Sequence, residues 1–115
     1  MTRYLISFPE GAMTFPDEDL PVVAEASHAV VRQAKAAGVW VFGGGLLDHE
    51  EATTVGTDGT VTDGPYPGTT SYMGGFSILD VASRDDALAW AGRIAVACRC
   101  AQEVRELMDD PESMP

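Results

Sequence analysis

The spacing of apolar and polar positions changes repeatedly along the chain, and each change marks an element. Residues 3 to 8, "RYLISF", are rich in β-branched and aromatic side chains and are closed by Pro9-Glu10-Gly11, which predicts a first strand and its stop. From Asp17 or Asp19 the period lengthens. Leu20, Val23, Ser27, Val30, Ala34 and Ala37 fall on one side of a helical wheel with Glu25, Arg32 and Lys35 opposite, and Gly38 ends the pattern. This predicts an amphipathic helix. "VWVFGGGLL", residues 39 to 47, is apolar at successive positions and predicts a second strand whose glycines allow a backbone or a ligand to come close.

Thr and Val flank Asp58-Gly59, a dipeptide suited to a two-residue hairpin turn. "GGFSILDV", 74 to 81, predicts the next strand, and Ser83 with Asp86 three residues on forms a weak capping box for a second helix. Ala87, Leu88, Ala91, Ile94 and Ala95 supply its inward stripe, with Trp90 at the edge as a core residue. "CAQEVREL", 100 to 107, predicts a last strand, after which the acidic "DDPESMP" is expected to fray. One domain over 1–108 and a flexible tail over 109–115 follow.

Strand, helix, strand, hairpin, strand, helix, strand is the order of a ferredoxin-like α+β sandwich. Two helices cover one face of such a sheet. The strands at 39–47 and 74–81 are nevertheless apolar on both faces, so the second face requires a cover. A homodimer with sheets facing across a two-fold axis supplies it.

Charge narrows the partners. Eighteen acidic residues against seven Lys and Arg give a net charge of −11, which repels a nucleic-acid backbone. No apolar run approaches membrane-spanning length, so no membrane partner and a cytoplasmic location are expected. Cys98 and Cys100 lie two apart, which suits neither a disulfide nor half of a four-ligand metal site, and they read as reduced thiols.

"AAGVWVFGGGLL", "ATTV", "DGTVTDGPY", "GGFSILDV", "DALAWAGRI" and "EVREL", in this order and spacing, resemble the YCII-related proteins, in the branch named for its Asp-Gly-Pro-Phe motif. The resemblance implies a dimeric α/β barrel of facing ferredoxin-like sheets with a cleft between them. It also implies kinship with dehalogenases and with lyases of small lactones, and a His-Asp pair as acid/base device. Three departures stand out. Tyr66 replaces the motif's Phe and adds a hydroxyl, and "TTSYM" replaces a charged Lys-Glu pair. Counted back from Gly38, the position of the family's helix histidine is Ser27, one residue before His28. In a regular helix His28 then lies on the polar flank and the family's pair is absent.

The candidate catalytic residues are Asp63 and His28, and the candidate substrate-binding residues are Tyr66 and Arg105. Asp63 reads either as a rim carboxylate acting as base or ligand partner, or as a turn-former bonding local N–H groups before Gly-Pro. His28 is a proton shuttle or a solvated flank residue beside Glu25 and Arg32. Arg105 clamps an anionic substrate or pairs with Glu103, Glu106 or an acid of a partner chain. His49, in the acidic "LDHEEA", reads as solvated, since one His with flexible carboxylates makes a poor metal site, and neither metal nor cofactor is expected. Gly43-Gly44-Gly45 lacks the Lys-Ser/Thr ending of a phosphate loop. Two functions remain: cofactor-free acid/base chemistry on a small molecule in the dimer cleft, or a non-catalytic metabolite-binding or assembly module. A cleft of about 300 Å³ or more with Asp63 on its wall supports the first. One filled by Trp40, Phe42 and Phe76 supports the second.

Overall fold

The computed structural model describes residues 1–115. Two units, β1 (Thr2–Pro9), α1 (Leu20–Ala36), β2 (Trp40–Gly45) and β5 (Met73–Val81), α2 (Arg84–Cys98), β6 (Glu103–Glu106), make one four-stranded antiparallel sheet in the order β2-β5-β1-β6. Between them the hairpin β3 (Thr53–Val55) and β4 (Val61–Asp63) forms a separate two-stranded arm. The α+β, ferredoxin-like order expected from the sequence is the order observed.

Register divides the sheet residues between two faces, because directly paired residues of antiparallel strands point the same way. Tyr4 pairs with Leu79, which pairs with Trp40, and Ile6 pairs with Ser77 and Val104. This face lies under the helices, and its cluster of Tyr4, Ile6, Leu79 and Val81 with Ala34, Ala87 and Ala91 is the core. The alternate residues face the other way: Leu5 pairs with Ile78, which pairs with Phe42, and Ser7 pairs with Phe76. No helix covers that face, and away from the Arg3 edge it is open: Phe42 is 63% exposed with its ring 5.9 Å from that of Phe76. The molecule is correspondingly flat, 43 × 42 × 19 Å. Its radius of gyration, 15.8 Å, exceeds the roughly 13 Å usual for this length.

Both helices begin and end for local reasons. Pro21 sits in the first turn of α1, where its missing N–H costs nothing. Ser83 Oγ accepts from the Asp86 N–H at 3.1 Å to cap α2, as its spacing predicts. At the other end Arg99 adopts the left-handed conformation at φ 58°, and the Cys100 N–H still donates to the Ala95 carbonyl at 3.2 Å. Cys100 therefore belongs to the helix exit, which is why the last strand starts at Glu103 and not at 100. Arg99 also reaches Asp19 at 2.8 Å, joining the exit of α2 to the entry of α1. The segment after β6 carries a single turn, Pro111–Ser113, and places the Met114 sulfur 3.1 Å from Arg3 Nη1. No helix is long and apolar enough to cross a membrane.

Candidate functional site

Between α1, α2 and the covered face of the sheet lies a cavity of about 460 Å³. Glycines shape its floor. A Cβ on Gly43 would stand 2.6 Å from the Phe76 carbonyl oxygen of the paired strand and 2.9 Å from the Trp40 ring. At Gly43 the close approach expected of the glycine run is made by the backbone of the paired strand and by the chain's own Trp40 ring. Gly45 differs: a Cβ there would meet nothing within 4 Å. At that point the cavity is bounded by bare backbone.

Helix α1 contributes Ser27, His28, Ala34 and Lys35 to the wall, and α2 contributes Trp90, Ile94 and Cys98. Ser27 Oγ donates to the Val23 carbonyl at 2.9 Å and lies 3.5 Å from the Cys98 sulfur. The residue at the place of the family's histidine is therefore directed inward, while His28 is a solvent-exposed member of the wall. No Asp or Glu lines this cavity, although the chain carries eighteen. His28 and Lys35 are its basic groups, with the hydroxyls of Ser27 and Ser77 and the Gln102 amide as neutral polar ones. Burial raises the pKa of the neighbouring Cys100 thiol, which keeps it protonated.

The four expected site residues do not assemble in one chain. Asp63 is exposed at the end of β4, paired in register with Thr53, and its carboxylate makes no hydrogen bond. The turn is held by its neighbours instead: the Gly64 N–H donates to Ala52 at 2.8 Å, the Thr54 hydroxyl donates to the Gly64 carbonyl at 2.9 Å, and Gly64 takes φ 107°. Tyr66 is 75% exposed, and its carbonyl, not its hydroxyl, accepts from Thr69. Arg105 is exposed opposite Leu5 on the bare face and forms no ion pair with Glu103 or Glu106. Of the four, His28 alone touches the cavity. That space also lies on the opposite side of the sheet from the cleft expected between facing sheets.

A second group of functional side chains collects where the strands end. His49 Nδ1 lies 3.0 Å from Glu10 Oε1 and 3.5 Å from Asp48 Oδ1, and the His49 N–H donates to Glu10 Oε2 at 3.3 Å. Its ring stacks on Tyr72 at 4.2 Å, almost parallel. The hydrogen bond to Glu10 raises the imidazole pKa, burial opposes it, and the surrounding carboxylates add to the rise. The Glu50 N–H, bonded to Asp48, holds that carboxyl below its usual range. His49 is thus half-buried and held, not solvated. Sequence reading missed this because Glu10 is 39 residues away, brought in by the β1–β5 pairing that bonds the Glu10 N–H to the Tyr72 carbonyl. An acid just past one strand and a histidine just past the next were the only linear signal.

The family model of the YCII-related domain matches residues 4–109. The chain belongs to this family. No curated protein matches this YCII-related chain in sequence. Among solved structures it is similar to the 5-chloro-2-hydroxyhydroquinone dehydrochlorinase TftG of Burkholderia phenoliruptrix AC1100, in complex with 2,5-dihydroxybenzoquinone. The two share 17% identity and superpose with a TM-score of 0.55 over 96% of this chain and 97% of that one. At that identity the likeness is one of fold.

Proposed function

We propose that this YCII-related protein binds a small hydroxylated aromatic or quinoid molecule in the cavity beneath α1, and that it does so as a homodimer closed over the bare faces of two sheets. One observation carries the reading: in a chain of net charge −11, a cavity of about 460 Å³ is walled by aromatic rings and basic or neutral polar groups, without a single carboxylate. Apolar walls with a few directed polar groups suit a small organic ligand, and excluding acids favours one that carries phenolate or carbonyl oxygen. The volume falls in the range of small-molecule sites, and the structural neighbour's ligand is of this class. His28 is the wall residue suited to exchange a proton near neutral pH, so cofactor-free acid/base chemistry rests on it. A second reading, binding without chemistry, draws support from Ser27 standing at the place of the family's helix histidine and from Asp63 lying off the wall.

Trp40 and Trp90 line the cavity, so 2,5-dihydroxybenzoquinone should quench tryptophan emission saturably, with calorimetry giving the same affinity. Gly45→Leu projects a side chain into open space and should weaken binding at least about tenfold without lowering Tm. Equal affinity in this variant, or quenching without saturation, overturns the reading. His28→Ala should change stability by less than about 0.5 kcal/mol, being exposed. If it also leaves turnover of chlorinated hydroxyquinols intact, acid/base use of His28 is refuted.

A further inference from the structure

We propose that Glu10, Asp48 and His49 form a site for a first-row divalent cation, of the Zn2+ or Mn2+ class, that staples the loops at one end of the sheet. Their ligand atoms all lie within 4.8 Å of one another. The two His49 Nδ1 distances, 3.0 Å to Glu10 and 3.5 Å to Asp48, match the edges of a coordination shell. With bonds of about 2.1 Å those edges are roughly 3.0 Å for an octahedron and 3.4 Å for a tetrahedron. The imidazole is already oriented for coordination, since Tyr72 stacks on one face at 4.2 Å and the residue's own backbone N–H is tied to the Glu10 carboxylate. Of these two, the Tyr72 stack comes from outside the ligand set, and such outer contacts fix a metal-binding ring.

Charge points the same way. Two carboxylates meet one imidazole, and the arginines that form ion pairs use them elsewhere, Arg3 with Asp80, Arg32 with Glu25 and Arg99 with Asp19. Glu10 and His49 are half-buried and Asp48 is exposed, and the net negative charge they gather is relieved by a cation. One imidazole with two carboxylates favours a borderline ion over a thiophilic one, and three protein ligands leave positions for water or another oxygen ligand. Glu10 follows β1 and Asp48 and His49 follow β2, so the ion would join two strand ends, with Tyr72, just before β5, packed on the imidazole.

Titration of the chelator-treated chain with Mn2+, followed by the loss of its free-ion magnetic-resonance signal, and with Zn2+ by calorimetry, tests the site. One equivalent per chain, with a rise in Tm, is the expected result, because a ligand that binds only the folded state stabilises it. His49→Gln and Glu10→Gln should each weaken binding about tenfold or more, whereas Zn2+ binding should survive Cys98→Ser with Cys100→Ser and also His28→Ala. Asp48→Asn, which keeps the acceptor for the Glu50 N–H, guards against a trivial loss of the loop. Absent binding, binding unaffected by His49→Gln and Glu10→Gln in chains that melt normally, or Zn2+ binding lost with the cysteines overturns the proposal.

Discussion

The two faces of the sheet are built from the same strands, residue by alternate residue, yet they end in different surroundings. Ile6 and Leu79, on the covered face, are fully buried, while their neighbours Leu5 and Ile78, on the bare face, are half-buried and Phe42 is largely exposed. Burial in this chain is therefore decided by what lies above a strand and not by the hydrophobicity of its residues. The covered face is held by packing against α1 and α2 and also carries the cavity. On the bare face, the Arg3–Asp80 ion pair and the unpaired side chains of Arg105 and Glu103 flank apolar residues in the manner of a polar rim. Such a face is the proposed contact with a second copy.

The sharpest break in that comparison is a cavity-creating change on the covered side. Leu79→Ala removes a fully buried side chain between its strand partners Tyr4 and Trp40 and should cost about 2–5 kcal/mol, read as a drop in the midpoint of denaturant unfolding. Ile78→Ala, one residue along on the bare face, should cost well under that in a monomeric state. Equal losses would mean that the bare face is already covered in the folded unit. Phe42→Asp addresses that cover directly. It puts a charge beside Phe76, where a dimer would bury it, and should reduce the sedimenting species from twice 12.2 kDa to 12.2 kDa at micromolar concentration. A parent chain that sediments at 12.2 kDa, or a variant that remains paired, removes the homodimer.

Much of this architecture is legible in the sequence because it rests on local periods. The spacing of Val23 and Ala34 marks the buried line of α1, and Ser83 with Asp86 marks the start of α2. Apolar residues of both parities in Phe76 to Leu79, with Phe76 and Ile78 on one face and Leu79 on the other, announce two faces needing cover, and the bare side of the sheet is where that demand is left standing. The candidate sites are less legible, since they depend on pairings between distant segments. His28 can be placed on an exposed flank from the wheel alone, but that the same flank borders a cavity depends on how α1 lies across Gly43 to Gly45. Asp63 is marked by its motif; the bonds that hold the turn come from Thr54 and Ala52, leaving the carboxylate without a structural role. Glu10 and His49 carry no motif, and only strand register brings them together.

Asp63→Asn is expected to have the smallest effect, and it tests whether the arm belongs to either face. The side chain is exposed and accepts no hydrogen bond, so the amide should leave Tm within the range of exposed substitutions, a change of under about 0.5 kcal/mol. Because Asp63 is off the cavity wall of its own chain, affinity for 2,5-dihydroxybenzoquinone should also stay as it is. A loss of about tenfold in affinity or turnover, near 1.4 kcal/mol, with Tm preserved, would have a specific meaning. The carboxylate would then reach a ligand, and since its own chain does not hold it there, a second copy would have to receive it. In that event the covered and bare faces would cease to be separate: the contact between copies would complete the cavity, and Phe42→Asp would abolish binding along with assembly. Measuring ligand affinity for both variants, alongside sedimentation, decides between a site complete in one chain and a site shared by two.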